Sequence, residues 1–545
     1  MKDNDSISNS NKEPTAATEH HEKSPNGPEA TLFEDVSYGS SGVHGLLGSP
    51  YVTGAAALAS LGGFSFGYDQ GVISIINVMP QFHATIPQTA TPFGTGLMTG
   101  MLLLGAFVGC LFMPYLADKL SRKRALTLVV VIFNIGAIMQ TAANSYGVLV
   151  AGRAIGGIGV GTLAMGAPLY ISEISPPNLR GTLLVLESIS IVSGAVIAFW
   201  ITYGTRFIDS DVSFRLPFGL QMVCATFLGV GILFFPYSPR WLVLVGRREE
   251  ALQSLSKLRG LPQDESRVQA EYRSIITEVE FQTMVQEKRH PGKKGAALEF
   301  VQWIDLFKGC TLRRSLVGVG VCFLQQFMGV NAFIYYAPTL FRSIGQSDEM
   351  SLVLSGIFNI LQLVTVLVCF FVIDRVGRRP LAIIGGVGTC VSYVIIAILS
   401  GLYSHDWAAH AGAGWACVAF AFAFILFFGL SYSPLAWLLP AEVFSTANRS
   451  KGVALATCTN WLSNFIVGTA TPPMIAAIGY GTYIFYAVFC LLAALWAVFL
   501  LPETKGKTLE QMDEIFGDTA NHEEEELMHI AISHVASTVN PAQHV

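Results

Sequence analysis

The chain has 545 residues, 52% of them hydrophobic and 13% charged, with a formal net charge of −5 and a mean hydropathy of +0.51. Ordinary soluble proteins are about 25% charged, so this composition excludes a soluble domain and indicates a chain that crosses a lipid bilayer many times. The weakly acidic balance gives no support to a nucleic-acid partner.

Residues 1–50 are polar and are expected to form a disordered tail. They lack a basic stretch followed by a short apolar core, so the first apolar span is expected to direct insertion itself. Twelve segments carry the roughly 20 apolar residues that cross about 30 Å of hydrocarbon. They lie at 51–80, 93–116, 125–143, 148–171, 183–203, 217–236, 315–340, 350–373, 380–402, 414–439, 453–475 and 481–501. A polar stretch, 237–314, with helix-like charge spacing in GRREEALQSLSKLRG separates a first six-helix half (51–236) from a second (315–501). Residues 502–545 form a tail with an acidic EEEE run, read as a solvated or regulatory segment. The expected fold is all-α, with twelve transmembrane helices in two halves and a helical linker.

Alternate loops place only Arg206, Arg215 and Arg342 on one side of the bilayer. The other lysines and arginines, apart from Arg153 inside a span, fall on the opposite side, which the positive-inside rule makes cytoplasmic together with both termini. The halves also echo each other. DKLSRKR (118–124) matches DRVGRRP (374–380), SEISPPNLRG (172–181) matches AEVFSTANRSKG (441–452), and PYSPRW (236–241) matches LPETKG (501–506). Three pairs at equivalent places indicate a parallel duplication. The nine cysteines stand singly in or beside apolar runs and read as small buried residues, not disulfides or metal ligands. No nucleotide loop, nucleophile elbow or metal spacing is present, so no enzyme activity is expected.

GRAIGGIGVG (152–161), the two D-basic loops, SPRW, QQFMGVNAFIYYAP (325–338), NWLSNF (460–465) and PETKG together resemble the sugar porter family of the major facilitator superfamily, over about residues 50–517. The resemblance implies alternating access between outward- and inward-open forms. It implies that Gln325, Gln326 and Asn331 bind the sugar, with Tyr335 and Tyr336 at the gate and Trp437, Asn460, Trp461 and Phe66 lining the site. Amides suit that task, because they donate to and accept from hydroxyls without charge. Gln325, Gln326 and Asn331 cannot share one face of an unbroken helix, and Gly329 is a candidate breaking point. The family's fifth-helix glutamine aligns with Ser188, preceded by Glu187, and its eighth-helix asparagine aligns with Gln362, one turn beyond Asn359. Glu187 is left open as a second titrating group or a structural partner. Asp118, Arg122, Arg124, Glu173 and Arg180 in the first half, with Asp374, Arg378, Arg379, Glu442 and Arg449 in the second, form an expected charge clamp. Two departures stand out: Ser121 replaces a usual glycine, and Tyr237 replaces the glutamate of PESPR.

Asp69 is an aspartate inside an apolar run, and charges within membranes are paired or functional. The family pairs this position with an arginine, here Arg153. Burial favours the neutral acid and the arginine favours the ionised one, so protonation of Asp69 can couple to helix movement. The expected function is a proton-coupled hexose or pentose importer, driven by the proton gradient without a cofactor, acting as a monomer in the plasma membrane. A facilitative uniporter, a sugar sensor, or transport of a sugar acid or polyol are the alternatives.

Overall fold

In the computed structural model the described residues are 49–293, 295–445, 448–507, 509–517 and 521–539. The N-terminal tail therefore lies outside them. The first half contains α1 (Pro50–Ala59), α2 (Leu61–Ile76), the short α3 (Pro80–Thr85), α4 (Pro92–Leu120), α5 (Arg122–Thr141), α6 (Tyr146–Ile174), α7 (Arg180–Thr205) and α8 (Val212–Gly231). The linker forms α9 (Pro239–Leu244), α10 (Arg248–Arg259), α11 (Ser266–Arg289) and α12 (Ala296–Asp305). The second half contains α13 (Gly309–Phe327), α14 (Val330–Ser343), α15 (Asp348–Val376), α16 (Arg378–Tyr403), α17 (Ala411–Leu430), α18 (Tyr432–Val443), α19 (Arg449–Ile478) and α20 (Gly481–Phe499). After them come α21 (Leu509–Phe516) and α22 (Asn521–Val539).

Helix starts follow local chemistry. Thr91 caps α4 by accepting from the Gly94 amide at 3.1 Å, ahead of Pro92 in the first turn, and Ser238 caps α9 in the same way ahead of Pro239. Each cap satisfies an amide that the helix cannot, and proline loses nothing there.

Among the described residues ten spans are long and apolar enough to cross a membrane, counting α13 with α14 and α17 with α18 as one span each. The first and eleventh expected spans are helical but fall short for identifiable reasons. A shallow break at Ser60 divides the first into α1 and α2, and Asn460 and Asn464 lower the hydropathy of α19. Gly329, with φ +85°, breaks α13 from α14. A side chain at that φ is disfavoured, and a Cβ would also stand 2.6 Å from the Tyr486 ring.

The halves meet where α4 lies on α19, α7 on α15 and α2 on α14. Their close contacts gather at the end remote from the basic loops. Gly96 faces the Thr469 carbonyl, Gly356 faces Trp200, and Arg206 pairs with Glu349 at 2.5 Å. The linker helices sit at the basic end, tied to α6 through Arg259, which donates to the Ile174 carbonyl at 2.8 Å and pairs with Glu271. Within the tail read as solvated or regulatory, α22 packs against α11, burying Ala531 and Val535.

Candidate functional site

Asp69 on α2 and Arg153 on α6 meet in the interior of the first half. Arg153 Nη1 lies 2.8 Å from Asp69 Oδ1, and the side chains are 1% and 2% exposed. The guanidinium also donates to the Met98 carbonyl of α4 at 3.2 Å, and it reaches the Thr99 carbonyl and Gln140 Oε1 at 3.5 Å. Arg153 thus keeps acceptors on α4 and α5 beyond its partner. The desolvation cost of such a pair is comparable to its attraction, so its significance is positional: it ties α2 to α6.

A second polar cluster lies across the bundle. Gln325 and Gln326 end α13, and the break at Gly329 turns Asn331, in the first turn of α14, back toward them. Asn331 donates to Gln326 Oε1 at 2.5 Å, Gln326 donates to Asn460 Oδ1 at 3.0 Å, and Asn460 donates to Gln325 Oε1 at 2.6 Å. Gln325 also donates to the Tyr432 carbonyl at 3.2 Å, near the break between α17 and α18. All four amides are buried. Phe66 on α2 meets the Trp461 ring edge-on, with centroids 4.8 Å apart, which brings the Asp69 helix against the amide-bearing α19.

Tyr335 and Tyr336 are buried, and Tyr336 carries a kink in α14. Tyr336 donates to the Gly468 carbonyl at 2.6 Å. The Tyr335 hydroxyl accepts from Gln70 at 3.3 Å and from Asn464 at 3.2 Å. Gln70 and Asn464 are absent from the sequence-derived set. The signals were present, since Gln70 adjoins Asp69 and Asn464 lies one turn from Asn460.

Three expected residues stand apart. Trp437 on α18 is 39% exposed and makes no ring contact or hydrogen bond among the described residues. Ser188 is half-buried without a bond to the cluster, and Gln362 is buried on α15 without a side-chain bond to the amides.

At the basic end ion pairs form inside each half. Arg122 pairs with Asp118 at 3.1 Å and with Glu173 at 2.9 Å. Arg378 pairs with Glu442 at 2.8 Å, and Arg379 donates to the Val498 carbonyl. Arg180 is exposed and forms no ion pair among the described residues, Arg449 is half-buried at the start of α19, and the side chain of Asp374 lies outside the described set. Glu503 accepts from the Arg378 and Arg379 amides at 3.0 and 3.1 Å. Burial works to raise its carboxyl, but the amides of Lys505, Arg378, Arg379 and Thr504 hold it below the ordinary carboxylate value, so it stays ionised.

In the first half, where Tyr237 stands in place of a glutamate, the ring takes Lys123 at 4.9 Å and Arg124 at 5.7 Å over its face and stacks on Trp241. A cation–π cage replaces the missing ionic contact. Ser121 holds φ +81° and ψ 147°, matching Gly377 at φ +103° in the second half.

The profile of the family described as "Sugar (and other) transporter" matches residues 55–516. A high-affinity glucose transporter of Kluyveromyces lactis is 33% identical over 482 residues, covering 85% of this chain and 84% of its own. A probable quinate permease of Aspergillus niger is 34% identical over 480 residues, covering 85% and 87%. Among solved structures, the proton:xylose symporter XylE bound to 6-bromo-6-deoxy-D-glucose superposes with a TM-score of 0.70 at 26% identity, over 86% of this chain and 99% of that one.

Proposed function

Because this chain belongs to the sugar (and other) transporter family, and is a membrane transporter and not an enzyme, we propose that it imports a neutral monosaccharide together with a proton. The observation that carries the reading is the link between its two polar centres. Asp69 adjoins Gln70, Gln70 bonds Tyr335, and Tyr335 bonds Asn464, one turn of α19 from the amide cluster at Asn460. The carboxyl held beside Arg153 is therefore connected to the groups that suit a sugar's hydroxyls.

In the outward-open form Asp69 takes a proton and its bond to Arg153 loosens. A sugar then engages Gln325, Gln326, Asn331 and Asn460, and α2 and α14 close over it with Tyr335 and Tyr336 at the gate. The halves rock, Asp69 gives up its proton and pairs again with Arg153, and the sugar leaves at the basic end. The present arrangement fits that last stage: the remote end is closed by the α4–α19 contact and the Arg206–Glu349 pair, while Trp437 stays exposed. The asymmetry of basic residues supports a cytoplasmic basic end with both termini inside, and we place the transporter in the plasma membrane. A negative-inside potential then favours uptake by about 2.3 kcal/mol per charge per 100 mV.

Neutral sugars rank ahead of sugar acids because Arg153 is engaged by Asp69. Asp69→Asn tests the reading: sugar-induced alkalinisation of the medium and accumulation against a gradient are both lost, while exchange of sugar at equal concentrations survives. Retention of both in the variant refutes proton coupling through Asp69.

A further inference from the structure

One helix of the linker leaves an apolar face uncovered among the described residues. In α12 Phe300 and Ile304 stand one turn apart, and Phe307 follows just past the helix end, so the three recur at the i, i+4, i+7 spacing of a single face. The Phe307 amide bonds back to the Ile304 carbonyl at 3.0 Å, which carries the turn onward. Phe300 is 69% exposed, Ile304 38% and Phe307 55%. Such a face marks a place where something apolar sits.

The other side of α12 is fastened to the protein. Glu299 pairs with Lys451 at the start of α19, His290 Nε2 just past α11 lies 2.7 Å from Asp305 Oδ2, and Leu306 is fully buried. These contacts fix which face points outward.

The surroundings identify the occupant. Only residues 306–308 separate α12 from α13, which with α14 forms one membrane-crossing span, and three residues reach at most about 10 Å. The helix therefore lies at the bilayer surface. Exposed Leu312 and Leu316 open the outward side of α13, so the apolar face of α12 continues into the surface that meets hydrocarbon. Exposed Lys293 precedes the helix, and exposed Lys308 and Arg313 follow it; Lys308 lies 3.0 Å from Asp305 with most of its side chain in the open. A phospholipid headgroup layer offers the rings an acyl boundary and the cations a phosphate, which no single apolar partner does.

We propose that α12 is a membrane-surface helix docked on phospholipid of the leaflet at the basic end, with Phe300, Ile304 and Phe307 in the acyl boundary and Lys308 and Arg313 at the phosphates. Docking holds α12 in place, and the Glu299–Lys451 pair passes that position to α19. Asn460 of the amide cluster lies nine residues beyond Lys451 on the same helix, about 14 Å. The bilayer surface thus steadies a helix that carries part of the candidate sugar site. The docking stands apart from the transport reading above; only its effect on uptake rests on it.

The test uses the full chain in liposomes of phosphatidylcholine and phosphatidylglycerol. Photoreactive p-benzoylphenylalanine replaces Phe300, a close match in shape, or Glu249, an exposed residue in the first turn of α10 that serves as the control. Illumination is expected to join phospholipid to position 300 and not to 249, as read by mass spectrometry. No lipid adduct at 300, or an adduct there on a second copy of the chain, overturns the docking. Uptake of labelled D-glucose and D-xylose then reads the tie to α19. Phe300→Ser with Phe307→Ser slows initial uptake roughly threefold, whereas in a Lys451→Met background, where the tie is already cut, the same two changes have no further effect. An equal fall in both backgrounds overturns the tie. Wild-type liposomes that take up neither sugar count against the neutral-sugar reading alone, and the adduct then decides the docking.

Discussion

Replacing Gly67 by alanine asks whether the contact of α2 with α7 is as close as its geometry requires. A Cβ at 67 would fall 1.7 Å from the Ile191 carbonyl oxygen, 2.6 Å from its carbon and 3.1 Å from Cα, where ordinary contact begins at 3.4 Å. The obstacle is backbone on both helices, so no rotamer change relieves it, and α7 must retreat by roughly 1.7 Å, the shortfall between those distances. Overpacking of a core costs about 1–3 kcal/mol. The absence of a soft neighbour puts this case near 3 kcal/mol, about a hundredfold in the folding equilibrium. The retreat also opens the seam that Gly63, Gly67 and Gly71 form with Glu187, Ile191 and Ala195. Gly54→Ala, with nothing within 4 Å of its Cβ, is the matched control on the same span. Thermal unfolding in detergent and sugar uptake per molecule at the cell surface are the assays. Gly67→Ala is expected to unfold at lower temperature and to lose most uptake, while Gly54→Ala matches wild type. A Gly67→Ala protein that melts and transports like wild type refutes the close-contact argument.

Two further outcomes follow from the geometry. Ser121→Gly relieves a φ of +81°, a strain worth about 1–3 kcal/mol, against about 0.4–1 kcal/mol of added freedom in the unfolded chain. It should therefore raise the thermal transition, and a lowered transition refutes the strain. Asn460→Ala removes the nearer acceptor of Gln326 and the nearer donor to Gln325. The KM for sugar uptake should rise at least tenfold, the equivalent of about 1.4 kcal/mol, and an unchanged KM removes Asn460 from the site.

The sequence disclosed the parts of this molecule that follow from composition and local chemistry. Twelve apolar runs located the helices to within a few residues, Gly329 marked the break that turns Asn331 toward Gln326, and two charges in apolar surroundings identified Asp69 and Arg153. What stayed hidden depends on which helices touch. No spacing rule indicates that Gln70 and Asn464, 394 residues apart in the numbering, meet on one tyrosine hydroxyl, or that Glu187 Oε1 is buried with no hydrogen-bond partner among the described residues. Tyr237 looked like the loss of an ionic contact, and only the positions of Lys123 and Arg124 over its ring show the replacement. The docking of α22 was hidden for a related reason. Its charge pointed to solvent, but the apolar Ala531 and Val535, four residues apart, share a helical face that only a partner could make visible.

That last contact bears on how the protein can be handled. Ala531 and Val535 of α22 cover a strip of α11 that includes Ile276, Val279, Phe281 and Val285, and His534 meets Glu280 beside it at 3.0 Å. A protease cut after Gly517 removes that cover and bares Phe281 and Val285 to water, an apolar patch that favours aggregation. Preparations clipped at that point should therefore be sorted from intact ones before any conclusion is drawn about how many copies make a working unit.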